Sequence, residues 1–170
     1  MNVPKQEGDL FITRKKYSFK FTKPRVRSII IADIYAYNIC VICFYTFGAG
    51  SDKNKYKLRF NYSGVHVLHI FKACLHVFEL VKGDKHYALF YNASNDVGDF
   101  QEDNKRYAAY GSFFEKYLPN FDEYKSLGSL KLNIQAFYHG EHPYNAEVEK
   151  FYQDYTLQIM EDLNNEESDK

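Results

Sequence analysis

Tryptophan is absent from this chain, and cysteine, methionine and proline are scarce, with 3 Cys, 2 Met and 4 Pro in 170 residues. Three thiols (Cys40, Cys43, Cys74) are an odd number and too few for a disulfide scaffold, so a reducing cytoplasm is the expected setting. A charge surplus is also missing, since 22 Lys and Arg offset 22 Asp and Glu. That balance argues against a nucleic-acid binder held by phosphate contacts. No apolar run opens the chain: "MNVPKQEGDL" is polar, and no signal peptide is expected. Neither a repeat nor a low-complexity block interrupts it.

What the chain has is aromatic rings, 16 Tyr and 15 Phe. With frequent Asn, Lys and Ile they suit the codon bias of an AT-rich bacterial or phage genome, and they favour strands. Apolar residues at 45% and charged residues at 26% describe a folding, globular chain. Basic residues gather near the start, where Lys5, Arg14, Lys15, Lys16, Lys20, Lys23, Arg25 and Arg27 outnumber Glu7 and Asp9. The end is acidic. The expected organisation is a flexible N-terminus over 1–12, a single domain over 13–163 and an acidic, disordered tail over 164–170.

One long apolar run remains, "IIIADIYAYNICVICFYTF" over 29–47. Its length and its basic flank "KPRVR" are those of a membrane span. Its content is not: Leu is missing, most residues are β-branched or aromatic, and Asp33 and Asn38 lie inside it. A mid-bilayer Asp costs roughly 2.5 to 3.5 kcal/mol. Loose period-two alternation makes it strand, either one long bent strand or two broken near Asp33 or Asn38, and no membrane partner is expected.

Around it, "KKYSFKFT" (15–22) and "KYKLRFNY" (55–62) alternate as strands of an N-terminal meander. Ser63 caps a helix on which Val67, Leu68, Phe71, Cys74, Leu75, Phe78 and Val81 form a stripe, closed by Gly83. "HYALFYNA" (86–93) reads as a strand buried on both faces. A helix follows from Asn104 to Leu118, before Pro119. "SLKLNIQAFYH" (129–139) reads as one strand, and residues 146–163 as a closing amphipathic helix. The expected fold is α+β: an antiparallel-rich twisted sheet of five or six strands, with three helices packed mainly on one face.

Several constellations have the residue types of chemistry. Cys40 and Cys43 have metal or redox spacing, yet positions i and i+3 of a strand face opposite ways, so they read as core residues. His139, Glu141 and His142 of "HGEHPY" complete a formal ligand set with them, but turn punctuation explains these residues equally, and no metal is expected. His66, His69 and His76 lie on the flank of the first helix opposite its stripe. Asp96, Asp99, Glu102 and Asp103 crowd a loop between strand and helix, where carboxylates could hold a cation.

From Tyr56 to Tyr117 the order of a strand, a turn with Arg59 and Gly64, a long helix, a strand and a helix bearing Tyr resembles the core of the GNAT N-acetyltransferases. The resemblance implies an acyl-CoA cofactor held by Arg59, Ser63 and Gly64, with Tyr110 or Tyr107 as general acid. Tyr62 stands where the family's turn has its first Gly. The sequence favours a protein-interaction or regulatory module without catalysis and without cofactor, its partner another protein. The alternative is a GNAT-like acyl-CoA-dependent N-acyltransferase with a degenerate pyrophosphate turn.

Overall fold

The computed structural model describes residues 10–21, 26–48, 64–93 and 105–168. Six strands form one sheet: β1 (Phe11–Phe21), β2 (Val26–Tyr35), β3 (Ile39–Thr46), β4 (Ala88–Asn92), β5 (Tyr124–Ser129) and β6 (Ile134–His139). Their order is β1-β2-β3-β4-β6-β5. All neighbours are antiparallel except β3 and β4, which are parallel. Helices α1 (Gly64–Lys82), α2 (Lys105–Tyr117) and α3 (Asn145–Ser168) complete the fold. This is the expected α+β class, with the meander first.

The apolar run at 29–47 is β2 and most of β3, joined by a hairpin turn in which Tyr37 and Asn38 take left-handed backbone at φ 62° and 55°. The break falls at Asn38, the residue type that tolerates that conformation best. Asp33, the residue least compatible with a bilayer, is fully buried and paired. Arg14 lies directly opposite it on β1 and donates through Nε and Nη2 to its two carboxylate oxygens at 2.6 and 2.7 Å. Shifting the pairing by one residue would turn one partner to the other face, so the ion pair defines the register of β1 on β2. No helix among the described residues is long and apolar enough to cross a membrane.

Alternation along the strands divides the core into two layers. Ile30 and Ala32 of β2, Cys40 and Ile42 of β3, Leu89 and Tyr91 of β4 and Phe137 of β6 face α1 and α2. The intervening residues Ile39, Val41, Ala88, Phe90, Ile134, Ala136 and Tyr138 face α3. Two of the three helices therefore share one face, and α3 alone covers the other. Its stripe is as expected, with Val148, Phe151, Tyr155 and Ile159 all buried, and Tyr138 donates to Glu149 at 2.9 Å to tie the helix down. The helix continues to Ser168, past the 163 expected from the stripe.

"SLKLNIQAFYH" is corrected from one strand to part of a hairpin. Ser129 ends β5, the chain turns through 130–133, and β6 starts at Ile134. Leu130 is 57% exposed at the turn, and Asn133 supplies the left-handed residue at φ 54°. The Leu130/Leu132 alternation imitated a strand. β5 itself, "YKSLGS", has no apolar face that would mark it, as suits an edge strand. The strand expected at 55–62 lies outside the described residues.

Candidate functional site

The parallel pair is where the sheet departs from a complete ladder. Ile39, Cys40 and Val41 pair with Ala88, Leu89 and Phe90, but β3 continues to Thr46 and β4 to Asn92. From Ile42 onward, the side of β3 that faces β4 has no strand partner among the described residues. Backbone N–H and C=O groups in such a place take their partners from water, another segment or a ligand. The C-terminal ends of adjacent parallel strands, with a helix crossing between them, are also where α/β sheets commonly bind ligands.

Tyr110 of α2 stands over this gap. Its ring meets Phe44, on the half of β3 that pairs with β2 but, among the described residues, not with β4, at a centroid distance of 6.0 Å, and Tyr91, near the end of β4, at 5.3 Å. Phe71 of α1 closes on it edge-on at 4.8 Å. Two strands and two helices thus position one phenol. Helix α2 can approach this closely because residue 111 is glycine: a Cβ there would stand 3.3 Å from Gln135 Oε1 and 3.7 Å from Tyr91 Oη.

Tyr91 is the buried partner in the cluster, and its hydroxyl donates to Gln135 Oε1. Burial, followed by the neighbouring Tyr107 and Tyr110, pushes its pKa far up, so it stays a neutral donor. Tyr107 lies toward the other side of Tyr91, at 6.5 Å, with its hydroxyl against β5, where a Cβ on Gly128 would come within 2.7 Å of it. The two Tyr residues named from sequence are therefore separated by the fold: Tyr110 beside the gap, Tyr107 over the closing hairpin. Tyr117 stacks on Phe113 at 4.7 Å, with Lys72 and Lys116 over its ring, near the end of α2.

Gly64 is the first residue of α1. Arg59 and Ser63, the remaining candidates for holding acyl-CoA, lie outside the described residues, as does the acidic loop from Asp96 to Asp103. Phe44, Tyr91 and Gln135 were not singled out from sequence. Each looks like an ordinary strand residue, and nothing local announces that the three converge.

The formal Cys₂His₂ set is taken apart. Cys40 and Cys43 point into opposite layers, as strand geometry requires, and their thiols and that of Cys74 are raised by burial, Cys43 to about 12. They are packing residues rather than nucleophiles. His142 is buried as well. Its Nε2 lies 3.4 Å from the Asn38 carbonyl and its Nδ1 accepts the Tyr144 N–H at 3.2 Å, while burial lowers its pKa and favours the neutral ring. Compared with protein-family models, curated proteins and solved structures, the chain has no significant match.

Proposed function

We propose that this chain is a GNAT-like acyl-CoA-dependent N-acyltransferase, with the gap between β3 and β4 as its thioester cleft and Tyr110 as its general acid. One observation carries the proposal: the parallel strands stop pairing after Val41 and Phe90, and Tyr110 stands over the place where they stop. An extended ligand arm bearing amides, as in coenzyme A, can satisfy the unpaired edge of β3 by strand-like hydrogen bonds. The β5–β6 hairpin supports the same reading, because it supplies the closing strand pair that the resemblance calls for and that the sequence concealed.

In the reaction, an amine attacks the thioester carbonyl, the tetrahedral intermediate collapses, and the C–S bond breaks. The departing thiolate takes the Tyr110 hydroxyl proton and leaves as the free thiol, while the nitrogen that attacked gives its surplus proton to water, from which the Tyr110 phenolate is reprotonated. The resemblance would assign the pyrophosphate to Arg59, Ser63 and Gly64, of which Gly64 opens α1 and the other two lie outside the described residues. The test is acetyl-CoA protection against thermal unfolding, followed by thiol release with amine substrates. No shift in Tm at concentrations far above any plausible Kd would sink the proposal.

A second reading is a cytoplasmic protein-interaction module without catalysis, and a different feature favours it. Tyr37 and Tyr144 are 39% and 40% exposed, with rings 5.5 Å apart. Tyr37 holds left-handed backbone, an uncommon conformation for a bulky residue and one that tends to persist where a side chain must be presented. Paired, exposed tyrosines are typical anchors for another protein. Purification as a stable monomer with no co-purifying partner counts against this reading.

A further inference from the structure

At the opposite end of β4 from the gap, three segments distant in sequence bring metal-binding side chains together. His86 precedes β4, His139 ends β6, and Glu141 lies in the turn leading to α3. One donor atom from each residue lies within 4.8 Å of the other two. The imidazoles of His86 and His139 stack at 4.2 Å with their planes 20° apart, so the exposed His86 ring must turn out of the stack to aim a lone pair at an ion shared with His139. A fourth residue orients the set: Glu123, brought close where the Gly140 N–H donates to the Glu123 carbonyl at 2.8 Å.

The hydrogen bonds around His139 decide which nitrogen is available. Glu123 Oε2 stands 2.8 Å from Nε2, so the carboxylate favours the tautomer whose proton is on Nε2. That leaves the lone pair on Nδ1, which faces the Glu141 segment and accepts the Glu141 N–H at 3.1 Å. A carboxylate holding one imidazole nitrogen while the other is left basic is the usual outer-shell arrangement of a metal-binding histidine. A cation at Nδ1 would replace one modest backbone hydrogen bond.

We propose that His86, His139 and Glu141 form a binding site for a divalent transition metal of the zinc class, with Glu123 as the outer-shell carboxylate that orients His139. Two imidazoles and one carboxylate suit zinc, copper or nickel, whereas calcium and magnesium call for an all-oxygen shell. Three protein ligands leave a coordination position for water. His86 and Glu141 are exposed, so the ion enters from solvent without opening the core. Bound there, it staples the α1–β4 connection to the end of β6 and the start of α3. The site stands at the other end of β4 from the proposed acyl-CoA cleft and depends on none of its residues.

Isothermal titration of the chelator-treated full chain with zinc chloride, in a non-coordinating buffer at neutral pH, tests the proposal. The expected result is one zinc ion per chain, at least tenfold weaker binding in His86→Ala and in Glu141→Gln, and no comparable binding of calcium or magnesium. Both substitutions are at exposed positions, and circular dichroism checks that each variant folds. Glu123→Gln should weaken zinc binding less than His86→Ala while changing the visible spectrum of bound cobalt, a readout a merely structural role would not move. Absence of saturable zinc binding overturns the proposal. So does zinc binding that His86→Ala and Glu141→Gln leave unchanged, or calcium binding as tight as zinc.

Discussion

The two ends of β4 are built differently. In its first half Leu89 and Phe90 pair with β3 on one side and β6 on the other, while the Ala88 N–H donates to the Asn38 carbonyl at 2.8 Å and buried His142 reaches that same carbonyl. At its end, among the described residues, β4 is paired with β6 alone, and the aromatic rings of α1 and α2 pack beside Tyr91 there. The closed end holds the sheet together. Under the proposed reading the open end is where a ligand would sit, beside a finished ladder that supplies the rigidity.

Substitutions at the two ends should therefore differ in kind. The largest loss of stability is expected from Phe90→Ala, in the fully paired part of β4, where the ring is completely buried and meets Phe151 at 5.1 Å. Truncating such a ring costs about 3–5 kcal/mol, measured by urea unfolding. A change of that size at Phe44, past the last β3–β4 pair, would erase the contrast.

Alkaline pH should act next. Burial raises the pKa of Tyr91 far above its ordinary 10 and that of Tyr138 to about 12, so both phenols are protonated in the folded protein when they would ionise unfolded. Stability from a raised pKa is complete below the unfolded value and declines as pH climbs above it, so the unfolding midpoint should fall from about pH 10 upward. Tyr91→Phe should flatten that decline more than Tyr138→Phe. Equal effects would mean that the two phenols are equally desolvated.

Gly128→Ala is expected to cost about 1–3 kcal/mol, because the new Cβ would stand 2.7 Å from the Tyr107 hydroxyl. Tyr107→Phe should restore much of the loss, and a double-mutant cycle measures the recovery. The smallest effect on stability and the largest on activity should come from Tyr110→Phe. Removing one hydroxyl should leave Tm within a degree or two, while thiol release from acetyl-CoA falls about 100-fold or more. Unchanged release would move the acid elsewhere and take Tyr110 out of the mechanism.

Periodicity carried far in this chain. The stripes of α1 and α3, the buried "ALFY" of β4 and the strand character of 29–47 were legible because local repeat and burial agree. The β5–β6 hairpin was not, since Leu130 and Leu132 continue an alternation through what is a turn, and Asn133 was the sole local hint of left-handed backbone. The helix that carries Tyr110 was legible; the role given to Tyr110 came from the resemblance. The gap it covers was not, because a lapse in pairing belongs to two strands and has no signature in either.

By itself, the sequence determined the three helices, the strands β1 to β4 and their apolar faces, since those follow from side chains a few positions apart along one element. Only the tertiary structure decided that β3 and β4 run parallel and part after three residue pairs, that Tyr110 rather than Tyr107 meets the gap, and that His86 joins His139 and Glu141. The physical reason is distance along the chain. Strand pairing and ligand convergence depend on how separate segments dock, and docking is set by the sum of many weak packing contacts that no local pattern records.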